Sequence, residues 1–284
     1  MIATAVAVVA TSYGIGNVLA RATFRESPGG EPESSNQTAA SSGTDESVTG
    51  ANADAALAAP AEPAAGPVGP PLSEVRPGGP YGSHETTGAD YVALTFDDGP
   101  DPRWTPDVLE LLRKHEVKAT FCVVGEMAEA FPELIQAIAA DGHTLCNHSW
   151  NHDLELGGRS RDAIRADLTR TNAAIRAAVP GARISYYRQP GGAWTERVVE
   201  VAEELGMESL HWTVDPQDWT QPAATVIAAI LSAGTEEGGI VLLHDGGGER
   251  QNTVRALRSV LPELTARHKL AALPATGGHP AGFR

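Results

Sequence analysis

The chain contains 284 residues, with 21 Lys and Arg against 36 Asp and Glu, which gives a formal net charge of −15. An apolar content of 42% is enough to build a core and excludes a chain that is disordered throughout. The acidic balance leaves no basic surface to displace counterions from phosphates, so we expect no nucleic-acid partner. Two cysteines, Cys122 and Cys146, are too few for a disulfide framework.

The N-terminal residues 1–22 form an apolar leader. Residues 2–20 carry no charge, which approaches the roughly 20 residues that a membrane span needs. Three interpretations stay open: a signal peptide, a membrane anchor, or a start codon set inside a longer leader. A basic n-region is missing, but Ala20-Arg21-Ala22 has the small-x-small form of a cleavage site. We expect export to the cell surface or the extracellular space, with the leader either cleaved or kept as an anchor.

Residues 23–88 are rich in Ala, Gly, Pro, Ser and Glu, and their only aromatic residues are Phe24 and Tyr81. Such a segment buries too little apolar surface to offset the entropy of ordering, so it is predicted to be a disordered linker. We expect the folded domain to span 89–284.

From residue 89 the pattern alternates short apolar strands with amphipathic helices. Alternation of this kind predicts an α/β fold with a parallel sheet, either closed as a barrel or open and doubly wound. A helix opens at Thr105-Pro106, with Thr105 as its N-cap. The other helices are predicted at 126–140, 160–178, 195–205, 222–233 and 252–267. The strands are predicted at 91–96, 117–124, 143–146, 184–187, 207–214, 240–243 and 269–273.

Polar residues cluster where the predicted strands end. On parallel α/β folds, catalytic chemistry collects at the carboxyl ends of the strands. We therefore treat the residues at these ends as one candidate site: Asp97, Asp98, His148, His152, Arg188, Asp215, Asp218, His244 and Asp245.

The residue types point to metal-assisted hydrolysis. His148 and His152 can present two imidazoles to one metal, and one carboxylate completes a set typical of catalytic Zn²⁺ with open positions. Asp97 and Asp98 are adjacent, so one can bind the metal while the other takes a proton from a water whose pKa the metal lowers. His244 can then donate a proton to a leaving group. The sequence contains no HExxH, GxSxG or P-loop motif.

Five segments in chain order resemble the motifs of the polysaccharide deacetylases, the NodB-homology enzymes of carbohydrate esterase family 4. They read TFDDGP at 95–100, HSWNH at 148–152, RQPGG at 188–192, DPQDW at 215–219 and IVLLH at 240–244. The resemblance covers roughly residues 88–272. It implies a distorted (β/α)7 barrel that removes N-acetyl or O-acetyl groups from a sugar polymer.

The resemblance also implies a role for each matched residue. Asp97 would be the general base and His244 the general acid, with Arg188 orienting Asp97 and Asp218 raising the basicity of His244. One divalent cation, expected to be Zn²⁺, would be bound by Asp98, His148 and His152. Trp219 and Leu242 would line the pocket for the acetyl methyl. A backbone N–H near Gly191 would stabilise the oxyanion, and the family often has an aromatic residue at this position. We therefore expect a more open groove on that side.

The expected substrate is an acetylated polysaccharide or oligosaccharide, either peptidoglycan or a chitin-like polymer of N-acetylglucosamine. An O-acetyl esterase acting on xylan and a carbohydrate-binding domain without turnover are the alternatives. We expect a monomer. Cys122 and Cys146 lie on neighbouring predicted strands, so a bridge is conceivable, although two buried thiols are the simpler interpretation.

Overall fold

The computed structural model describes residues 72–275. The leader at 1–22 and most of the predicted linker lie outside this range. The strands are β1 (Tyr91–Asp97), β2 (Thr120–Val123), β3 (Thr144–Asn147), β4 (Tyr186–Tyr187), β5 (Glu208–Ser209), β6 (Ile240–His244) and β7 (Lys269–Leu270). The helices are α1 (Thr105–Lys114), α2 (Gly125–Ala130), α3 (Pro132–Ala140), α4 (Arg161–Ala178), α5 (Glu196–Glu204), α6 (Ala224–Gly234) and α7 (Gln251–Arg267). Across this part of the chain, no helix is both long and apolar enough to cross a membrane.

The strands form one parallel sheet in the order β5-β4-β3-β2-β1-β6, and β7 pairs with β1. Strands β5 and β6 stand at the two ends of this order. Isolated pairs lie between these ends: His84 with Leu210, Thr86 with Gly239, and Val214 with Val241. The predicted α/β class is confirmed as an incomplete barrel of parallel strands with helices packed on one face of the sheet.

Alternation along β1 separates two hydrophobic cores. Val92, Leu94 and Phe96 pack among helix residues, whereas Tyr91 and Ala93 face the barrel interior. Because side chains on a strand alternate between faces, Asp97 points to the interior side at the carboxyl end of β1. The register pairs Asp97 with His244 at the end of β6. The fold therefore sets these two polar residues side by side above an apolar interior.

Cys122 and Cys146 form a disulfide inside the barrel. The two residues are partners in the register of β2 and β3, and both are fully buried. Neighbouring parallel strands direct paired side chains to the same face, which brings the two sulfurs together. The interpretation of two free thiols is therefore wrong for this structure.

The last described residues close the barrel at the amino ends of the strands. Leu273 is fully buried in the interior core, and its backbone N–H and C=O bond to the hydroxyls of Thr120 and Thr144. Leu72, from the other end of the described chain, is buried in the same cluster. Both ends of this part of the chain thus contribute to one interior core.

The predicted linker differs from the structure over its last 17 positions, residues 72–88. This segment contains two 3₁₀ turns, Leu72–Glu74 and Pro80–Gly82, and pairs with the sheet through His84 and Thr86. Its ordering comes from backbone pairing to open sheet edges, which its polar composition does not reveal. The folded domain therefore begins before residue 89.

Element boundaries also differ from the sequence expectation, most clearly in two elements. The helix predicted at 126–140 is two helices, α2 and α3, because Pro132 has no N–H to continue the ladder and opens α3 instead. The strand predicted at 207–214 is ordered as a strand only at Glu208–Ser209. Beyond it the chain turns across the barrel opening, where Val214 pairs singly with Val241.

Candidate active site

Three predicted metal ligands converge at the carboxyl ends of β1 and β3. The Oδ1 atom of Asp98 lies 3.4 Å from Nε2 of His148 and 3.2 Å from Nε2 of His152. The three ligand atoms lie within 4.8 Å of one another. Asp98 Oδ1 is buried and accepts no hydrogen bond from any described residue. An unpaired carboxylate oxygen facing two imidazole nitrogens fits a divalent cation.

The tautomer of His148 suits this task. Its Nδ1 lies 2.9 Å from the carbonyl oxygen of Arg188, and this acceptor holds the ring proton on Nδ1. The lone pair of Nε2 then points toward Asp98. A backbone acceptor on the other ring nitrogen is the usual support for a metal-binding histidine.

Backbone conformation is unusual at the ligand loops. Asp98, Ser149 and His152 all have left-handed φ values, of 73°, 65° and 57°. Residues other than glycine adopt this region at a cost, and such residues concentrate at functional sites. The two loops that carry the ligands thus show local strain that packing must offset.

Asp97 is held by a buried arginine. Nη1 of Arg188 donates to Asp97 Oδ1 at 2.8 Å and to Thr95 Oγ1 at 2.7 Å. The same guanidinium donates to the carbonyls of Leu210 and His211, so four acceptors fix its orientation. The second carboxylate oxygen of Asp97 lies 3.7 Å from His148 Nε2. This oxygen is available to accept a proton beside the ligand cluster.

His244 is paired with Asp218, as the resemblance implied. Its Nδ1 lies 2.7 Å from Asp218 Oδ1, and its backbone N–H donates to Asp218 Oδ2 at 3.0 Å. Thr253 donates its hydroxyl to the same Oδ2 at 2.8 Å. Burial acts to lower the pKa of His244, but the hydrogen bond and charge of Asp218, with Asp98 and Asp97, raise it to about 9. The ring therefore carries a proton at neutral pH, with Nε2 free of Asp218.

A glycine turn packs against the Asp98 carboxylate. At Gly247, with φ of 69°, a Cβ atom would lie 2.3 Å from Asp98 Oδ2, so only glycine permits this approach. The turn follows Asp245, a buried carboxyl whose Oδ2 accepts the Thr105 hydroxyl at 2.6 Å. Burial raises the pKa of Asp245 to about 7. Thr105 had been predicted as the N-cap of α1, but Trp104 occupies that position and the Thr105 hydroxyl serves Asp245 instead.

The predicted pocket residues differ in exposure. Leu242 is buried on β6, in register with Thr95, while Trp219 is 45% exposed on a 3₁₀ turn between two left-handed residues, Gln217 and Gln221. Gly191 also has a positive φ of 60°. Leu154 fills part of the space that we expected to be open, because its Cδ2 lies 2.8 Å from where a Gly191 Cβ would stand.

Several residues that contact the site have no role predicted from the sequence. Thr95 could have been found by period-two alternation, since it shares a strand face with Asp97. Asp245 was recognised only as polar at a strand end. No local pattern indicates Thr253 or Leu154, because the contacts of each depend on the tertiary fold.

The assembled side chains can bind a divalent cation, accept a proton at Asp97 and deliver one from His244. Residues 84–210 match the family model described as polysaccharide deacetylase. A chitooligosaccharide deacetylase of Sinorhizobium fredii is 42% identical over 192 residues, which cover 64% of this chain and 88% of that protein.

Solved structures agree with this family. A peptidoglycan N-acetylglucosamine deacetylase superimposes with a TM-score of 0.64 at 32% identity, covering 69% of this chain and 93% of that one. A carbohydrate esterase family 4 pseudoenzyme of Bacillus anthracis gives 0.60 at 29% identity, with 66% and 64% covered. The sequence match and the shared fold together show that the chain belongs to the polysaccharide deacetylases of carbohydrate esterase family 4.

Proposed function

We propose that this protein is a metal-dependent hydrolase that removes acetyl groups from an N-acetylglucosamine polymer, either chitin-like oligosaccharide or peptidoglycan. The observation that carries the proposal is the convergence of Asp98, His148 and His152 beside two complete pairs, Asp97 with Arg188 and His244 with Asp218. A pseudoenzyme that has lost turnover is expected to lack one of these parts.

A bound divalent cation, which we propose to be Zn²⁺, would polarise the acetyl carbonyl and lower the pKa of the attacking water. Asp97 takes the proton of that water, and Arg188 keeps its carboxylate oriented throughout. His244 donates its Nε2 proton to the departing amine nitrogen, while Asp218 stabilises the protonated ring before the transfer. Leu242 and Trp219 form an apolar wall for the acetyl methyl.

The substrate assignment follows the relatives. One is named a chitooligosaccharide deacetylase and another a peptidoglycan N-acetylglucosamine deacetylase, so both act on amides of the same sugar. An O-acetyl esterase on acetylxylan would use the same side chains and is the first alternative. The second alternative is a carbohydrate-binding domain without turnover, and the similarity to a family 4 pseudoenzyme is the observation that favours it.

We also propose that the protein acts outside the cytoplasm as a monomer, either secreted or held at the membrane by residues 1–22. The Cys122–Cys146 disulfide supports export, because such bonds persist mainly in oxidising compartments.

The test is acetate release by the full chain from chitooligosaccharides, peptidoglycan and acetylxylan. We expect release from at least one of the first two and a loss of roughly 10²–10⁴-fold in kcat for Asp97→Asn, which keeps the side-chain shape but removes the base. Release from acetylxylan alone would support the esterase. A folded wild-type protein that binds these glycans but releases no acetate would support the binding domain.

A further inference from the structure

A cleft of about 560 Å³ opens between the loops that follow β3 and β4. Its volume lies within the roughly 300–1,000 Å³ typical of small-molecule sites. Tyr81 forms one wall, and the others are formed by Gly157, Gly158, Thr195, Arg161 and Arg197. None of these residues belongs to the three candidate metal ligands or to the two pairs Asp97–Arg188 and His244–Asp218.

The cleft lies on the same rim of the barrel as the active site. Gly157 and Gly158 belong to the loop that follows β3 and carries His152, and Thr195 follows the β4 loop that carries Arg188 and Gly191. The hydroxyl of Thr195 donates to the carbonyl of Gly157 at 2.8 Å and joins the two loops. Leu154 lies between the cleft and the ligand loop in sequence and packs against Gly191.

The segment that bears Tyr81 is attached to the same rim. His84 N–H donates to the carbonyl of Ser209, and His211 N–H donates to the carbonyl of His84, at 2.8 and 2.7 Å. The carbonyl of His211 in turn accepts from Arg188, which holds Asp97. The Tyr81 turn thus extends the structure that orients the general base.

Tyr81 adopts a conformation that favours glycine. Its φ and ψ are 53° and 28°, inside a turn closed by Ser83, whose N–H and hydroxyl both donate to the carbonyl of Pro80. A bulky residue in the left-handed region is an outlier that surrounding contacts must hold. The result is a ring that is 61% exposed, the highest value among the large apolar side chains of the described residues.

The charges in the cleft are balanced, and three of the four charged side chains contact other groups of the protein. Arg161 pairs with Glu200 and Glu204, and Arg197 donates to the carbonyls of Gly158 and Arg159. Glu196 completes two acidic and two basic groups in the lining. A balanced polar rim around one exposed aromatic ring suits a neutral, hydroxyl-rich ligand better than a strongly charged one.

We infer that this cleft is a remote saccharide subsite, in which Tyr81 stacks on a pyranose unit of a bound sugar chain. The acetylated unit of the same chain lies at Asp98, His148 and His152. The inference rests on the proposed function and adds to it a preference for longer oligomers. The inference predicts that a long chain contacts both sites, whereas a short substrate contacts only one.

The experiment compares KM for acetate release from N-acetylglucosamine dimer and hexamer in three variants of the full chain. Tyr81→Ala is expected to raise KM for the hexamer roughly tenfold, while Tyr81→Phe, which keeps the ring face, restores it. Val226→Ala is the matched control, because Val226 is an exposed apolar residue on α6. Equal hexamer KM values for Tyr81→Ala and Val226→Ala would overturn the inference.

A second readout separates this inference from the proposed function. Calorimetric binding of the hexamer to the same proteins needs no turnover. Weaker binding by Tyr81→Ala than by Tyr81→Phe supports the subsite even if wild type releases no acetate. A loss seen only with peptidoglycan fragments that carry peptide stems would assign the cleft to the peptide and overturn the saccharide assignment.

Discussion

In the proposed mechanism, Asp218 controls the proton on His244, and this predicts the alkaline limit of the reaction. A general acid must be protonated, and the pKa of about 9 keeps His244 charged through neutrality and discharges it above that value. Asp218→Asn removes the charge that raises this pKa. We expect the alkaline limb of the kcat profile to move to lower pH, with kcat reduced at pH 8.

The control for this prediction is Thr253→Val, which removes one hydrogen bond to Asp218 but leaves its charge. It is expected to move the alkaline limb less than Asp218→Asn does. An unchanged limb in Asp218→Asn would show that another group sets the alkaline limit.

At the residue scale, two histidines and two adjacent carboxylates indicated a metal site, and the resemblance to the polysaccharide deacetylases implied the pairing of His244 with Asp218. In the structure, the side chains of each group lie together. The contact of Thr253 with Asp218 joins α7 to the loop before α6, a proximity that arises only from packing. Roles resting on such contacts have no sequence pattern.

The glycine turn after β6 is an element that shapes the candidate metal site. Gly247→Ala would bring a methyl group against the Asp98 carboxylate. We expect the zinc affinity, measured calorimetrically on the full chain, to fall roughly 10–100-fold, as it does when outer contacts of metal ligands are disturbed.

Gly181→Ala supplies the matched control. Gly181 has a similar positive φ of 83°, but a Cβ there would have nothing within 4 Å. The control carries the same type of backbone strain without touching Asp98, so its zinc affinity should stay at the wild-type value. Equal zinc affinities for Gly247→Ala and Gly181→Ala would show that the glycine turn does not affect metal binding.

The disulfide joins β2 and β3 directly below the ligand loops. It closes a sequence separation of 24 residues, and a closure of this length restricts the unfolded chain. The double variant Cys122→Ala/Cys146→Ala is expected to lose about 3 kcal/mol of unfolding free energy, measured in denaturant. Alkylation of the unfolded, unreduced wild type should find no free thiol, and two labelled cysteines would contradict the bridge.

Element boundaries show where a sequence pattern stops being sufficient. The apolar runs predicted β1 and β6 closely, because both strands are buried along their whole length. Strands β4 and β5 have two residues each, and β5 stands at one end of the strand order. Apolar residues lie outside both strands, with Ile184 before β4 and Leu210 after β5, so the apolar pattern extends further than the strands.

The whole molecule depends on segments that lie far apart in the chain. Leu72 and Leu273 belong to the same interior core as the disulfide. Leu273→Ala should cost about 2–5 kcal/mol of unfolding free energy, because it leaves a cavity in this core. Val226→Ala, at an exposed position, should change it by less than about 0.5 kcal/mol. Equal values for both variants would show that the last segment is not part of the cooperative unit.

Residues 72–88 show that amino-acid composition alone does not predict whether a segment is ordered. The segment resembles a linker in its content of Gly, Pro and Ser, yet it pairs with the sheet and carries Tyr81 to the rim. The segment is ordered because it forms hydrogen bonds with backbone groups of the barrel that would otherwise be unpaired. The sequence of the segment does not reveal those groups.

The central claim is that Asp98, His148 and His152 hold one catalytic cation. The most direct measurement is acetate release from N-acetylglucosamine hexamer by the chelated full chain during stepwise addition of Zn²⁺. We predict that chelation abolishes release and that the rate rises linearly to a plateau at about one zinc per chain. A chelated, metal-free protein that keeps its full rate would contradict the account.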